Sequence, residues 1–370
     1  MREVLVIAGE ASGDLHGAGL ARALSALRPD LRLVGIGGHQ MQKAGVELLE
    51  DAESMAVMGF VEVIGKIPHH WALLRQLKRR LASGSVSLLI TIDYPGFNMK
   101  VAESARRFGV PVLYYITPQV WAWGANRLPK LRRLITKAAV ILPFEETLLR
   151  ANGIDATFVG HPLLDRAQAL STKQEARRQL GIAADRRVLA LFPGSRVQEI
   201  SRHLRDFVAT AQLLEASHPG LQVVVSVAPT VSLDRALCPY RQIHENSFTV
   251  LRAADAAICK SGTTTLEAAV ADCPLVVAYR TSGWTYAIAK RAVTIPFIGL
   301  VNVVAGREVA REFVQDALVP SVVATAVSPL LDLSSNERAV QLAALGEVRG
   351  LLGTAGASER VAAMAAELAK

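Results

Sequence analysis

DAAICKSGTTTLEAAVADCPLVVAY, residues 255–279, is the part of the chain from which the fold class follows most directly. A short apolar run at 256–259 predicts a buried strand, and a turn of glycine, serine and threonine comes after it. A helix-compatible segment, LEAAVAD, follows, and Pro274 then precedes a second apolar strand at 275–279. Strand, turn, helix and strand make one βαβ unit, which predicts an α/β domain built on a parallel sheet.

The turn of this unit lies at the carboxyl end of a strand, where open α/β sheets bind ligands. Its hydroxyls can cap the following helix, and free backbone N–H groups there suit a phosphate. Glu267, one turn into the helix, can accept hydrogen bonds from a ribose diol. The same pattern also fits a capped helix of an ordinary α/β domain that binds nothing, and the stretch alone leaves both interpretations open.

Composition narrows the class of protein. A chain of 370 residues is long for one core and comfortable for two domains. The net charge of +8 favours an anionic partner such as a nucleotide, a phospholipid surface or a nucleic acid. Three cysteines without C-x-x-C spacing predict neither a disulfide framework nor a zinc site, which fits a reducing cytoplasm. The chain enters a strand at Val4, so we expect no signal peptide, and no apolar run is long enough for a membrane-spanning helix.

The first half of the chain predicts a sheet of about six parallel strands with polar residues at the strand ends. The strand at 3–8 leads into GEASGDLHG, a turn that can let a sugar or phosphate approach the backbone. The strand at 88–92 ends at Asp93, which is placed either for acid/base work or to cap the helix from Met99 onward. Trp121 and Trp123 follow another strand and can form a sugar or acyl platform or simply pack.

Residues 55–80 differ in character, because the apolar run MAVMGFVEVIGKIPHHWALL is followed by RQLKRR. An exposed apolar patch beside cationic side chains is typical of a peripheral membrane binder. A core helix with a solvated basic end has the same pattern.

The second half predicts a second doubly wound sheet. Its first strand, at 187–192, precedes Gly194 and Arg196, which permit close backbone approach and bidentate contact to a diphosphate. We also predict a helix at 306–316, and an alanine-rich tail at 357–368 that packs back on the first domain. Two such domains imply a ligand cleft between them. Because no D-x-D pair or metal-ligand spacing occurs, cationic side chains and backbone N–H groups are expected to hold phosphate charge without a metal.

Taken together, the motifs resemble the lipid-A-disaccharide synthase family, inverting glycosyltransferases of the GT-B fold (glycosyltransferase family 19). The matching segments keep the order of the family: AGEASGDLHGAGL at 8–20, AVMGFVEV at 56–63, IDYPGFN at 92–98, TPQVWAW at 117–123, LPFE at 142–145, VGHPL at 159–163, FPGSR at 192–196, SGTTTLEAAV at 261–270 and NVVAGREVAREFVQD at 302–316.

The resemblance implies two Rossmann-like domains facing a central cleft. Residues 1–165, joined by a C-terminal helix at 350–370, would face the acceptor and the membrane, and residues 166–349 would bind the UDP-sugar. The implied reaction transfers 2,3-diacylglucosamine from its UDP derivative to 2,3-diacylglucosamine 1-phosphate (lipid X). The products are the β-1′,6-linked lipid A disaccharide 1-phosphate and UDP. The implied location is the cytoplasmic face of the inner membrane, peripherally bound, with no cofactor, no metal and no nucleic acid. A homodimer is left open.

The resemblance also assigns roles to residues. Asp93 is the first candidate for the catalytic base, and His16 is the second. The UDP-binding candidates are Gly194, Ser195, Arg196, Ser261, Gly262, Thr263, Thr264, Thr265, Glu267 and Asn302. The acceptor or sugar candidates are Ser12, Gly13, Asn98, Gln119, Trp121 and Trp123. The acyl-chain and membrane candidates are Met58, Phe60, Val61, Ile64, Arg75, Lys78, Arg79 and Arg80.

Functions from other classes remain as alternatives. A UDP-sugar 2-epimerase shares the two-domain architecture but has no use for the patch at 55–80. A catalytically silent UDP-sugar or lipid-binding protein is the other, although Asp93, Arg196 and Glu267 are all present. The missing dinucleotide fingerprint disfavours an NAD-dependent dehydrogenase, and nucleic-acid binding has no motif behind it.

Overall fold

The structure is a computed structural model that describes residues 2–52, 60–168, 170–228, 231, 233–234, 236–244, 246–284, 286 and 295–369, without the side chains of 60–67. The chain forms two compact units. The first comprises Met1–Pro162 and Gly353–Lys370, and the second comprises Leu163–Leu352.

The first unit alternates strands and helices. Its strands are β1 Arg2–Ala8, β2 Leu31–Gly37, β3 Glu47–Asp51, β4 Val86–Ile92, β5 Val112–Tyr115, β6 Lys137–Val140 and β7 Ala156–Phe158. Its first helices are α1 Ala11–Leu27, α2 His39–Lys43, α3 Phe60–Ala82, α4 Pro95–Arg107, α5 Leu128–Leu134 and α6 Pro143–Ala151. Within the described residues the strands form one seven-stranded parallel sheet in the order β3-β2-β1-β4-β5-β6-β7.

Helices cover both faces of this sheet, which explains why its strands are apolar without alternation. Leu5 and Ile7 belong to a core shared with α3 to α6, whereas Val4 and Val6 belong to a core shared with α1. The strand order reverses between β1 and β4, so the carboxyl ends of these two strands flank the switch point at which ligands bind in such sheets.

The prediction of about six strands missed β3. Its sequence, ELLED, has three charged residues out of five and is only partly buried, because β3 lies at the edge of the sheet and pairs only with β2 in the described part of the unit. An edge strand with charged residues carries little of the apolar signal by which strands are predicted.

Two features tie α1 into the unit. The carboxylate of Asp14 accepts hydrogen bonds from the backbone N–H groups of Gly38, Gln40 and Met41, so it caps α2 from a neighbouring helix. The C-terminal helix spans Ala357–Leu368 and packs against α1 and the sheet. It is labelled α15, because eight helices of the second unit, described below, precede it in the chain. Arg360 of that helix donates a hydrogen bond to the Val159 carbonyl.

The second unit repeats the plan. Its strands are β8 Val188–Phe192, β9 Gln222–Ser226, β10 Arg241–Ile243, β11 Ala256–Lys260, β12 Leu275–Tyr279 and β13 Glu312–Val314. The principal helices are α7 Leu163–Ala167, α8 Lys173–Gln179, α9 Val197–Ser217, α10 Ser247–Ala253, α11 Thr264–Val270, α12 Leu300–Ala305, α13 Pro320–Leu331 and α14 Asn336–Leu351. Among the described residues these strands form a parallel sheet of six in the order β10-β9-β8-β11-β12-β13, which reverses between β8 and β11.

The βαβ unit predicted from residues 255–279 is confirmed as β11, α11 and β12, which pair as parallel neighbours. The predicted helix at 306–316 is wrong. The helix there is α12, which ends at Gly306 in the left-handed conformation (φ +66°), and Glu312–Val314 is a strand paired with β12. The mixed charged and apolar sequence fits the periodicity of a helix as well as that of a strand. Pairing with β12 stabilises the strand.

Candidate active site

A cavity of about 540 Å³ opens in the second unit at the switch point of its sheet. It lies at the carboxyl ends of β8 and β11, and this volume suits a small-molecule ligand. Eight of the ten residues predicted to bind UDP line it: Gly194, Ser195, Arg196, Ser261, Gly262, Thr263, Thr264 and Glu267. The backbone at Gly194 needs a glycine, since φ is +135° and a Cβ there would meet the Cβ of Glu199 at 2.6 Å.

Thr265 and Asn302 support the cavity instead of lining it. Both are fully buried. The Thr265 hydroxyl donates to the Gly262 carbonyl at 2.9 Å, and α11 shows no side-chain cap, so the predicted capping by hydroxyls is not what holds this turn. The Asn302 amide bonds to Glu312 and to the backbone of Val309 and Ala310. Asn302, predicted to bind UDP, therefore organises the loop after α12 and does not itself line the cavity.

A lysine that the sequence reasoning did not single out also lines the cavity. The Lys260 ammonium, at the end of β11, donates to Oε1 of Glu199 at 2.9 Å, and the Ser195 backbone N–H donates to Oε2 at 3.1 Å. Burial opposes ionisation of Glu199, but Lys260 and the Ser195 amide outweigh it and lower the pKa of Glu199. The Glu199 carboxylate therefore accepts, inside the cavity, hydrogen bonds from an ammonium group and a backbone N–H, and both of these donors also suit a phosphate.

The carboxylate of Glu267 is buried at the cavity wall. The guanidinium of Arg166, from α7, donates to its Oε1 at 3.2 Å and reaches the side-chain oxygen of Asn246 at 3.4 Å. Both of these neighbours line the cavity as well. Arg166 therefore orients the Glu267 carboxylate at the cavity wall, where the carboxylate is suited to accept hydrogen bonds from a diol.

Other cavity residues missed from the sequence follow the ends of two more strands. Ser226 ends β9, and Val227 and Ala228 come directly after it, while His244 comes directly after β10. Each is next to the carboxyl end of a parallel strand. Their position after a strand is the sequence signal by which they could have been predicted. The signal is weak, because both strands are short and polar residues at strand ends are common.

In the first unit, Asp93 directly follows β4, next to the carboxyl end of β1 at the switch point. Burial and the nearby charge of Glu10 raise the pKa of the Asp93 carboxyl to about 6. Asp93 and Tyr94 both have φ of 46°, in the left-handed region. Such conformations cost of order 1–3 kcal/mol each for residues other than glycine and cluster at functional sites.

The turn after β1 accommodates this strained segment. A Cβ on Gly9 would lie 2.4 Å from Cδ1 of the Tyr94 ring, so only glycine fits there. Gly13 likewise sits close to β1, since its Cβ would meet that of Ala8 at 3.2 Å. Gly13 is buried and allows α1 to pack on the sheet, whereas Ser12 is exposed at the start of α1.

Two further candidates of the first unit are His16 on α1 and Asn98 on α4. His16, half-buried on α1, meets the Tyr115 ring edge-on with centroids 6.3 Å apart. Burial, with a smaller effect of His16, lowers the pKa of His161 to about 3, so His161 is neutral. Asn98, predicted to contact the acceptor or a sugar, is fully buried, and its amide supports the backbone by donating to the carbonyls of Ile92 and Asp93.

The two tryptophans behave differently. The Trp121 indole N–H donates to Glu145 at 3.0 Å, and its ring packs edge-on against Phe144. Burial raises the pKa of Glu145 to about 7, against the hydrogen bonds that it accepts from Leu142 and Trp121. Trp121 is thus a packing residue. Trp123 is 48% exposed with the Arg127 guanidinium over its ring, and Gln119 is exposed on the same loop, so both remain accessible.

Helix α3 carries the predicted membrane patch. Leu73, Leu77 and Leu81 are buried in the core, and the basic candidates Arg75, Lys78 and Arg79 are exposed. Arg80, predicted to contact the membrane, is instead bound within the unit, because its guanidinium donates to both carboxylate oxygens of the buried Glu3 at 2.8 Å. Met58 lies outside the described residues, as do the side chains of Phe60, Val61 and Ile64. The described half of the helix is a core helix with a solvated basic face.

The architecture of two doubly wound sheets, the second with a cavity at its switch point, defines the GT-B class of α/β proteins. Solved structures share it. The calicheamicin glycosyltransferase CalG4 has a TM-score of 0.63 and 17% identity, covering 100% of this chain and 98% of that chain. UDP-GlcNAc 2-epimerase from Neisseria meningitidis, bound to UDP-GlcNAc, has a TM-score of 0.65 and 12% identity, covering 99% and 100%. At such identity the likeness concerns the fold alone.

The chain belongs to the lipid-A-disaccharide synthetase family, whose model matches residues 4–359. A lipid-A-disaccharide synthase from Trichlorobacter lovleyi is 42% identical over 371 residues, which cover 98% of this chain and 96% of the relative. One from Myxococcus xanthus is 40% identical over 372 residues, covering 99% and 97%. The resemblance drawn from the motifs is therefore confirmed, and the epimerase alternative keeps only the shared fold.

Proposed function

We propose that the protein transfers 2,3-diacylglucosamine from UDP-2,3-diacylglucosamine to 2,3-diacylglucosamine 1-phosphate with inversion. The products are the β-1′,6-linked disaccharide 1-phosphate and UDP. Family membership supports the reaction, and the observation that carries the site assignment is the cavity with Arg196 and Lys260 at the switch point of the second sheet. This is a place where a parallel sheet accepts a nucleotide and where charge can stabilise a leaving diphosphate.

The donor end of the reaction is assigned to this cavity. Arg196 and the backbone N–H groups near Gly194 and Gly262 hold the diphosphate, and Lys260 turns from Glu199 to the phosphate. Glu267, oriented by Arg166, accepts hydrogen bonds from the ribose hydroxyls. The interactions of the cationic and N–H groups with the diphosphate strengthen as the bond to the anomeric carbon breaks, because negative charge then accumulates on UDP.

The acceptor end is assigned to Asp93. An α-linked donor that gives a β product needs one in-line displacement, in which a base removes the proton of the acceptor 6-hydroxyl. A carboxyl with a pKa of about 6 is ionised at neutral pH and is a stronger base than an ordinary aspartate. His16, on the adjacent helix, is the second candidate for this proton.

We further propose that the enzyme acts at the cytoplasmic face of the inner membrane, with the exposed basic face of α3 against anionic headgroups. The apolar residues predicted at 58–64 would meet acyl chains. No helix among the described residues is long and apolar enough to cross a membrane.

The reaction is tested by incubating the protein with both lipid substrates and following the product by thin-layer chromatography or mass spectrometry. A disaccharide 1-phosphate formed only when donor and acceptor are both present is the expected result. Turnover of a UDP-sugar without any lipid acceptor would contradict the proposal and favour an epimerase. UDP binding without turnover would instead indicate a silent binding protein.

The Arg196→Ala variant is expected to bind UDP more weakly by about 1–3 kcal/mol, or roughly 5- to 150-fold in Kd, because a charge-assisted contact is lost. Isothermal titration with UDP measures the change. Arg202→Ala is the matched control, since Arg202 is exposed on α9, the helix that directly follows Arg196, but does not line the cavity. Equal affinities for the two variants would remove Arg196 from the diphosphate site.

Transfer is expected to be unchanged in EDTA, because Arg196, Lys260 and backbone donors supply the positive charge for the leaving diphosphate. No group of three metal-ligating side chains occurs among the residues that the structure describes. The measurement compares initial rates with and without chelator in the same lipid substrate mixture. A rate that falls in EDTA and recovers with added divalent cation would contradict metal independence.

A further inference from the structure

The backbone carbonyl of Asp93 is held by two buried side chains. The Tyr114 hydroxyl, from β5, donates to it at 2.9 Å, and the Asn98 side-chain amide, from α4, donates to it at 2.7 Å. On the other side of the residue, the Asp93 N–H donates to the Tyr115 carbonyl at 3.1 Å. The peptide groups flanking the Asp93 side chain are therefore fixed from two neighbouring elements.

Neither side chain is needed in this form for packing alone. Tyr114 is fully buried among apolar residues of the sheet, where a phenylalanine would fill the same space without burying a hydroxyl. Asn98 is also fully buried, and its Oδ1 has no hydrogen-bond partner within the described part of the chain. Leaving a polar atom unsatisfied in a core is costly, so the role that the structure shows for Asn98 is the pair of hydrogen bonds that its amide donates.

What these donors hold is an unfavourable conformation. Asp93 and Tyr94 have consecutive left-handed φ values of 46°, and Tyr94 is a bulky residue for which this region is an outlier. Strained backbone of this kind persists only where the surroundings determine it. Without the two donors the segment is free to relax, and the Asp93 carboxyl moves with it.

We propose that Tyr114 and Asn98 are positioning residues for the reaction, which act by clamping the Asp93 carbonyl so that the carboxylate is held ready to accept a proton. This inference rests on the proposed role of Asp93 as the base. Among the described residues, the titratable groups that interact with the Asp93 carboxyl are Glu10, ahead of α1, and Tyr114, while the Tyr94 backbone N–H donates to the carboxyl and lowers its pKa. Relaxation toward water weakens the effects of burial and of Glu10, so the pKa of Asp93 falls.

The test is Tyr114→Phe, which removes one oxygen and keeps the ring in the core. We expect kcat for transfer to fall at least tenfold, while the Kd for UDP and the KM for the donor stay within about twofold. The acidic limb of the pH–rate profile is expected to move to lower pH. Asn98→Leu, which keeps the approximate shape of the side chain without the donor, serves as the second variant and is expected to behave alike.

A double-mutant cycle separates this clamp from general destabilisation. If Tyr114 acts through Asp93, Tyr114→Phe in an Asp93→Asn background causes no further loss of rate. Tyr240→Phe is the matched control, because it also removes a hydroxyl that donates one hydrogen bond, here to the Glu215 carboxylate of the second unit. Wild-type kcat and an unmoved pH limb in both clamp variants would overturn the inference. Full turnover of Asp93→Asn would overturn the base assignment instead, so the two failures are distinguishable.

Discussion

Asp93→Asn is expected to reduce transfer by about 100- to 10,000-fold, the range that a positioned general base contributes. Asparagine has nearly the same shape and tolerates the left-handed backbone (φ 46°), so the loss reports the missing base and not a changed loop. UDP affinity is expected to stay unchanged, because the cavity assigned to UDP belongs to the second unit. Retained turnover would exclude Asp93 as the base.

The same substitution is expected to stabilise the fold. The pKa of Asp93 is about 6 in the folded protein and near 4 in an unfolded chain, so ionisation opposes folding. The stability that the neutral carboxyl provides is fully present below about pH 4 and is lost as pH rises through 6. At pH 7 the penalty is on the order of 2–3 kcal/mol, which Asp93→Asn removes. Denaturant unfolding at pH 7 measures the gain.

The pH dependence of the wild-type enzyme checks the same carboxyl. The rate is expected to rise with pH as Asp93 ionises, with a midpoint near 6. Glu10→Gln removes the charge that contributes to this shift, so the midpoint should move to lower pH while the plateau rate is kept. A midpoint unmoved in Glu10→Gln would mean that another group controls the limb.

Asp255→Asn is expected to destabilise the second unit by about 3–5 kcal/mol, the cost of breaking a buried ion pair from one side. The Asp255 carboxylate accepts hydrogen bonds from Lys173 at 2.6 Å and from the buried Arg177 and the Val188 N–H at 2.8 Å. Removing its charge leaves the buried Arg177 guanidinium without this anionic partner and with only the carbonyls of Ala253 and Ala184 as acceptors. Because Asp255 immediately precedes β11, the loss also loosens the strand that ends at the cavity.

Chemical denaturation with a probe in the second unit measures this effect. Asp272→Asn is the matched control, since Asp272 also pairs with two cationic side chains, Arg252 and Arg349, but its side chain is 40% exposed. An exposed pair contributes about 0–1 kcal/mol, so this control should unfold nearly as the wild type does. Similar midpoints for the two variants would show that the Asp255 network adds no more than a surface pair.

Local sequence patterns were sufficient to predict the fold class and much of the lining of the donor cavity. Apolar runs next to glycine, serine and threonine turns predicted β8, β11 and β12, and therefore the turns at Gly194 and Gly262 that line the cavity. Asp93 was predictable as an acidic residue directly after a buried strand. These signals lie within a few residues of one another, and the rule for parallel sheets then says on which edge they meet.

Other features depended on partners that are distant in sequence. Asn302 was expected beside a ligand and Arg80 at a membrane, yet each is held within its own unit, by Glu312 and Glu3 respectively. A single polar residue does not reveal whether its partner is a ligand, solvent or a residue many positions away. The strand at 312–314 was misassigned for a related reason, since only its pairing with β12 distinguishes it from a helix.

The order of strands and helices, and the edge of each sheet at which ligands bind, thus follow from periodicity and turn chemistry along the chain. The state of the side chains at that edge does not. The clamp on Asp93, its burial beside Glu10 and the pairing of Lys260 with Glu199 arise only when separate elements pack together. Packing removes water and brings charges close, and both effects set the reactivity of a carboxylate or an ammonium group.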